Sequence, residues 1–383
     1  MSDRKVTNRE LNRTLLARQG LLARWEQRSV TDAVEAIGAI QSQNWAAVPV
    51  ALWSRLAGFS AEDLYEALRD GRLVTGTLLR RTLHTVTARQ HPEYAAAAEA
   101  FGALDWRRTK APLAPKEAVR LRAALVEYAS TARSGTELAR FLDAWVTGNP
   151  GVLDEQEAAA QRAKEWRPVR TSCDLVRVPA DGGSWSRTPQ HQRAAPCPSF
   201  RPAAPDADEA QRVSVRRHLT AFGPAGIDDL AYWLGAKVTQ LHPVLQQLGD
   251  ELCTYDDESG RTLYDLRALD ITPAEAAAPV RLLPAFDSTL LAYAPTRRER
   301  ILPAEYRDLV YVKANLQVKP TLLVDGLVAG TWELKATRKE AVLAVRLFAD
   351  PAGECRARVA QECEDLARFT YPDAVTYAVK MEG

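Results

Sequence analysis

Phe222-Gly223-Pro224-Ala225-Gly226 places two glycines and a proline between two amphipathic runs, and the reading of that break decides the fold. Residues 207–222 before it read as a helix, while Ile227 to Leu234 and Lys237 to Leu248 after it read as two more. Leu252-Cys253-Thr254-Tyr255 and Thr262-Leu263-Tyr264-Asp265-Leu266 follow, rich in β-branched and aromatic residues, and predict a hairpin across an Asp/Ser/Gly loop. Helix, turn, helix and hairpin in that order outline a winged helix.

The outline recurs upstream. Thr7-Asn8-Arg9-Glu10 has the form of a capping box and predicts a helix over about 8–26; Ser29 and Asp32 open a second, with Val34, Ile37 and Ile40 on one face. Further helices are expected after Pro49 and after Ser60, and then Leu73 to Val86, broken by Gly76, reads as strand pairs or a hairpin. A second copy comprises helices near 116–131, 136–146 and 154–166, with a wing formed by 174–178 and 184–188. Four prolines between Pro196 and Pro205 mark a linker. Beyond about 276 the pattern changes to strands at 280–283, 321–324, 328–332 and 341–348, with Asp325-Gly326 as a hairpin turn and a closing helix near 352–368. The expected fold is α+β: winged helices over 1–125, 126–205 and 206–275, the second carrying the proline-rich linker, then a small α/β domain with antiparallel strands over 276–383.

Composition narrows the function. A length of 383 residues suits two or three domains, and 46% hydrophobic with 26% charged residues suits a globular chain with no run of about 18 apolar residues for a membrane. The five cysteines are scattered, without a C-x-x-C pair, so reduced thiols and no metal are expected. No secretory signal is read at the N-terminus, which points to the cytoplasm. The net charge of +1 hides an asymmetry: residues 1–217 hold 32 Lys+Arg against 25 Asp+Glu, residues 218–383 hold 18 against 24. A polyanionic partner would therefore meet the N-terminal half.

Phosphate-binding, dinucleotide, zinc-protease and serine-hydrolase motifs are absent, and only five histidines are available for acid–base work. Gln41-Ser42-Gln43 stands out at the end of an apolar helix. In extended backbone, residues two apart share a face, so both amides can meet one cleft. An amide orients water but is no strong base, which suits a reaction whose leaving group is already activated. Two surface amides capping a helix are the alternative.

Gln41-Ser42-Gln43, Thr82-Leu83-His84-Thr85-Val86, Phe222 to Gly226 with Trp233, Leu283-Pro284-Ala285-Phe286-Asp287, and Leu323 to Gly326 through Gly330-Thr331-Trp332 together resemble the AlkZ/YcaQ-like winged-helix DNA glycosylases over nearly the whole chain. Gln at position 43 resembles the Q-x-Q branch; Ser42 departs from the aliphatic residue common between the glutamines. The resemblance implies a monofunctional glycosylase that removes bulky or crosslinking N7-alkylguanines made by genotoxic antibiotics, giving self-resistance. Gln41 and Gln43 would jointly position water and stabilise the oxocarbenium-like sugar, without cofactor or metal. Duplex DNA carrying alkylated guanine would be the partner of a monomer. Arg80, Arg81, Thr82 and His84 in the first hairpin, Arg107, Arg108 and Lys110 beside Trp106, and Arg177 and Arg187 around the second turn are the expected DNA contacts, with solvated or structural roles as the alternatives. A non-catalytic winged-helix regulator and a drug-sequestering protein are the competing functions.

Overall fold

The structure, a computed structural model, describes residues 4–102, 114–171, 174–180, 184–186, 192–196, 206–314, 316–349 and 353–382. Strand β1 (Arg4–Lys5) leads into α1 (Asn8–Arg18), whose start is the expected capping box: Thr7 Oγ1 accepts from the Glu10 amide and the Glu10 carboxylate accepts from the Thr7 amide. The helix stops well short of 26. Gly20 adopts φ +66°, and a Cβ there would lie 2.7 Å from the Trp25 ring, so the chain turns where only glycine fits. Helix α2 (Val30–Ile37) is capped by Ser29 and ends at Gly38, φ +94°. That early stop leaves Ile40–Gln41 free to be extended, as strand β2.

Helices α3 (Ala47–Trp53) and α4 (Ala61–Arg69) precede the antiparallel pair β3 (Leu73–Thr77) and β4 (Leu83–Thr87), then α5 (Gln90–Ala100). The next segment holds α6 (Pro115–Tyr128), α7 (Gly135–Gly148), α8 (Glu155–Ala163), α9 (Arg167–Arg170), β5 (Leu175–Pro179) and β6 (Gln192–Pro196). Two expectations are corrected here. The strand returning against β5 is 192–196, not 184–188; Trp185 is instead buried against Trp45, ring centroids 4.8 Å apart, and the Trp45 indole N–H donates to Ser186 O. Pro196 thus ends a strand rather than beginning a linker. The second hairpin also joins the first: β5 pairs with β3 at Gly76↔Val176, giving one five-stranded sheet ordered β2-β4-β3-β5-β6.

The third outline is as expected: α10 (Ala207–Phe222), α11 (Ile227–Leu234), α12 (Val238–Leu248) and the hairpin β7 (Leu252–Asp256) with β8 (Thr262–Leu266). Strand β1 adds to β7 in parallel, and Arg18 pairs with the buried Asp265, so the N-terminus is fastened to this third unit. The remainder comprises β9 (Arg281–Leu283), α13 (Ser288–Leu291), α14 (Arg307–Val310), β10 (Tyr311–Val312), β11 (Gln317–Val318), β12 (Thr321–Val324), β13 (Leu327–Ala336), β14 (Glu340–Leu347), α15 (Gly353–Thr370) and β15 (Thr376–Glu382). Its large sheet is ordered β15-β14-β13-β12-β9; all pairs are antiparallel except β14 with β15, which the crossover helix α15 makes parallel. The mixed α+β class therefore holds. One apolar core runs through α1, α10, α11, α12 and the first hairpin to Leu283, Tyr293 and Leu323, tying the hairpin to the C-terminal region. No helix among the described residues is long and apolar enough to cross a membrane.

Candidate active site

Sheet register places the glutamine motif. Gln41 pairs with His84 on β4, and the Ser42 amide continues the ladder to Leu83 O at 2.8 Å. Alternation then sends Ser42 to the opposite face, where its hydroxyl meets Ile40 O at 3.0 Å and Thr85 Oγ1 at 2.6 Å, with Thr75 beyond. The middle residue is a buried hydrogen-bonding element of the sheet. Gln43 is exposed, its Oε1 only 3.5 Å from the Leu83 amide. Gln41 is 7% exposed and lies beside a gap, too narrow for water, against Ala285, Phe286 and Ser288.

Between β3 and β4 the chain turns through a 3₁₀ segment, Leu79–Arg81, closed by Leu78 N–H to Thr82 O and Thr82 N–H to Leu79 O. Arg80 and Arg81 both have left-handed backbone, φ 51° and 60°, at a cost of roughly 1–2 kcal/mol each. This twist sends the two side chains apart. Arg80 turns inward: Nη1 donates to Trp233 O at 2.9 Å, Nη2 donates to Gln41 Oε1 at 3.1 Å, and the guanidinium lies 4.5 Å from the Trp233 ring centroid. Burial lowers its pKa to about 10. Arg81 turns outward into a cleft of about 550 Å³ shared with Gln43.

That cleft lies between the first hairpin and α7 to α9, and its cationic lining is Arg81, Lys164, Arg167, Arg170 and Arg177. Among the described residues no carboxylate lines it; Glu165, 75% exposed, pairs with Arg170 at its edge. Burial and the neighbouring Arg170 both lower the Arg177 pKa. The far wall repeats the strain of the hairpin tip, since Glu165 and Trp166 are left-handed at φ 50° and 55° and splay Lys164 and Arg167 around the α8–α9 corner. Strained pairs on both walls of one cleft mark a shaped site. Among the described residues, no group of three His, Cys, Asp or Glu side chains could hold a metal.

The chain matches the family model "DNA glycosylase AlkZ-like" over residues 34–369. It belongs to the AlkZ-like DNA glycosylases. The activity class is therefore hydrolysis of N-glycosyl bonds in DNA, and the regulator and sequestering readings are set aside. An interstrand DNA cross-link repair glycosylase of Streptomyces sahachiroi is 26% identical over 316 residues, 80% of this chain and 83% of that protein. The solved DNA glycosylase AlkZ of Streptomyces sahachiroi superposes with a TM-score of 0.78 over 98% of this chain and all of that one, at 22% identity, a likeness of fold.

In this AlkZ-like glycosylase the residues expected to be catalytic or at DNA divide. Gln43, Arg81 and Arg177 share the cleft, whereas Arg80 is turned toward Gln41 and Trp233. Thr82 is partly buried, its hydroxyl donating to Leu79 O within the turn. His84 is 0% exposed, a correction to its expected place at DNA: Nδ1 meets Thr82 O at 2.9 Å and the ring edge faces Trp233. Burial, then the Arg80 charge, push its pKa down to about 3, so the imidazole is neutral and unsuited to proton transfer near pH 7. Arg107, Arg108, Lys110 and Arg187 lie outside the described residues. Sequence reading missed Lys164, Arg167 and Arg170; they gather at the left-handed break between α8 and α9 rather than along one helix, so helical spacing does not signal them.

Proposed function

We propose that this glycosylase is monofunctional, hydrolysing the N-glycosidic bond of bulky N7-alkylguanine in duplex DNA, including guanines joined in interstrand crosslinks, and so protects its host from a genotoxic antibiotic. The observation that carries the reading is Gln43, an uncharged amide exposed in a cleft walled, among the described residues, by five cations and no carboxylate. Such a wall takes the phosphates of a DNA strand, while an amide suits a bond that needs no general acid. N7-alkylation supplies the activation: the purine carries a positive charge, and the electrons of the breaking C1′–N9 bond neutralise it as the base leaves. Water adds to C1′ and its proton passes to solvent, leaving an abasic site. Gln41 and Gln43 orient that water and the electron-poor sugar, a contribution of placement and electrostatics requiring neither metal nor lysine adduct. Arg81 and Arg177, joined by Lys164, Arg167 and Arg170, grip the backbone. An open cleft of this kind accepts a bulky adduct without the snug pocket that base flipping requires. The similarity to a cross-link repair glycosylase supports the choice of substrate.

The test is a 5′-labelled duplex crosslinked at guanine N7 by a nitrogen mustard. Incubation with the protein, then hot alkali, should unhook the strands and yield an abasic-site break at the adducted guanine, with no break before alkali. Alkali-labile product no greater than in enzyme-free controls, for both crosslink and monoadduct, would overturn the proposal.

A further inference from the structure

Arg80 is a cation whose described partners are all neutral: two carbonyl-type oxygens and two aromatic rings. An arginine kept only for stability is expected to face a carboxylate once it is desolvated. Here its one side-chain acceptor is the Gln41 carboxamide. Its place is set from behind by a stack crossing into the C-terminal region: the Tyr232 ring lies 5.7 Å from Arg80, Arg298 lies over the same ring at 5.2 Å, and Tyr311 lies 4.7 Å from Arg298. Trp233, which supplies both a carbonyl and a ring to Arg80, is 1% exposed. The left-handed backbone at Arg80 is what turns the side chain to this position, away from the cleft that Arg81 enters.

A guanidinium only donates, so it selects one end of an amide. We infer that Arg80 is a positioning residue that captures the Gln41 oxygen and thereby gives the two glutamines different tasks. Gln41 presents its NH₂ end to the substrate as a donor, while Gln43, whose oxygen is held only by a long contact, is the acceptor that orients the attacking water. This rests on the glutamines serving the glycosylase reaction as proposed above. It explains why a motif of two identical side chains is embedded asymmetrically, one enclosed and one open.

A double-mutant cycle tests it, using the full chain and a duplex with one nitrogen-mustard N7-guanine monoadduct. Arg80→Met keeps the stem over Trp233 but removes the charge and donors. The expected result is a fall of about 10–100-fold in the single-turnover rate at saturating protein, with the Kd for the duplex and its salt slope unchanged. In the Gln41→Ala background, the same substitution should cost less than about threefold more, because its effect passes through Gln41. Arg80→Lys, which retains the charge and N–H donors on a single nitrogen, should recover part of the rate, and a urea midpoint for each variant identifies any unfolded one. Weaker binding with an unchanged saturated rate would make Arg80 a phosphate contact, and losses that multiply in the double variant would make it scaffold; either result overturns the inference. Full activity of Gln41→Ala alone would instead defeat the reading of the motif.

Discussion

Lowering the pH from 7.5 to 5 should destabilise this fold by about 4 kcal/mol through two enclosed histidines. Burial pushes the pKa of His84 to about 3 and that of His218 to about 4; nearby arginine charges lower both further, Arg80 acting on each and Arg300 on His218. Unfolded, each returns to about 6.5. Below that value the unfolded chain binds the extra protons, so stability is complete above pH 6.5 and is lost as pH falls toward the folded pKa. At pH 5 both remain neutral in the fold and nearly fully charged when unfolded, a loss of about 2 kcal/mol each. Asp265 and Glu362, whose pKa values burial raises, act in the opposite direction. The control is His84→Gln, whose amide can still donate to Thr82 O; it should reduce the pH-dependent loss by the roughly 2 kcal/mol this imidazole contributes. Urea denaturation at the two pH values measures the difference. Equal losses in wild type and His84→Gln would refute the argument that enclosure keeps this imidazole neutral.

Other outcomes follow from the charges. Lys164→Ala and Arg167→Ala should each weaken duplex binding and reduce the magnitude of the salt slope of log K by about 1, measured by fluorescence anisotropy across salt. Arg55 and Asp287, 0% and 1% exposed, form a two-pronged pair at 2.8 and 3.0 Å that joins the turn after α3 to the Phe286 loop beside Gln41. Arg55→Ala should cost about 3–5 kcal/mol in urea unfolding by stranding the carboxylate; Asp287 and Gln19 lose their shared partner together. Excision rate should be flat between pH 6 and 8 in a pH–rate profile, since His84 does not titrate there.

Local signals carried most of the fold. The capping box at Thr7 and the Asp325-Gly326 turn with φ 45° and 79° are written within a few residues of where they act, whereas the second helix, expected to carry Ile40, stops earlier at Gly38. The first helix was overextended because Gly20 stops it through Trp25, a contact that periodicity does not encode. Strand β15 went unread because its alternation is shallow along a sheet edge, where Thr376 and Val375 are exposed. At the site, the chance that the helix ends before the glutamines was legible, but not their separation: Gln41 pairs in β2 and is enclosed beside Phe286, while Gln43 lies past the strand in the cleft. The inward turn of Arg80 and the enclosure of His84 were not legible either, for they depend on left-handed backbone at non-glycine residues and on Trp233, some 150 residues away. Neither composition nor propensity distinguishes Arg80 from Arg81, yet one faces the core and the other the cleft.

The most direct test of the account is the single-turnover excision rate of Gln43→Ala on the N7-guanine monoadduct duplex, measured beside its Kd and with chelator present throughout. The account predicts a loss of about 100-fold or more in rate, with wild-type affinity and wild-type indifference to chelator. A Gln43→Ala protein that excises at the wild-type rate would contradict it, and so would activity that chelator abolishes.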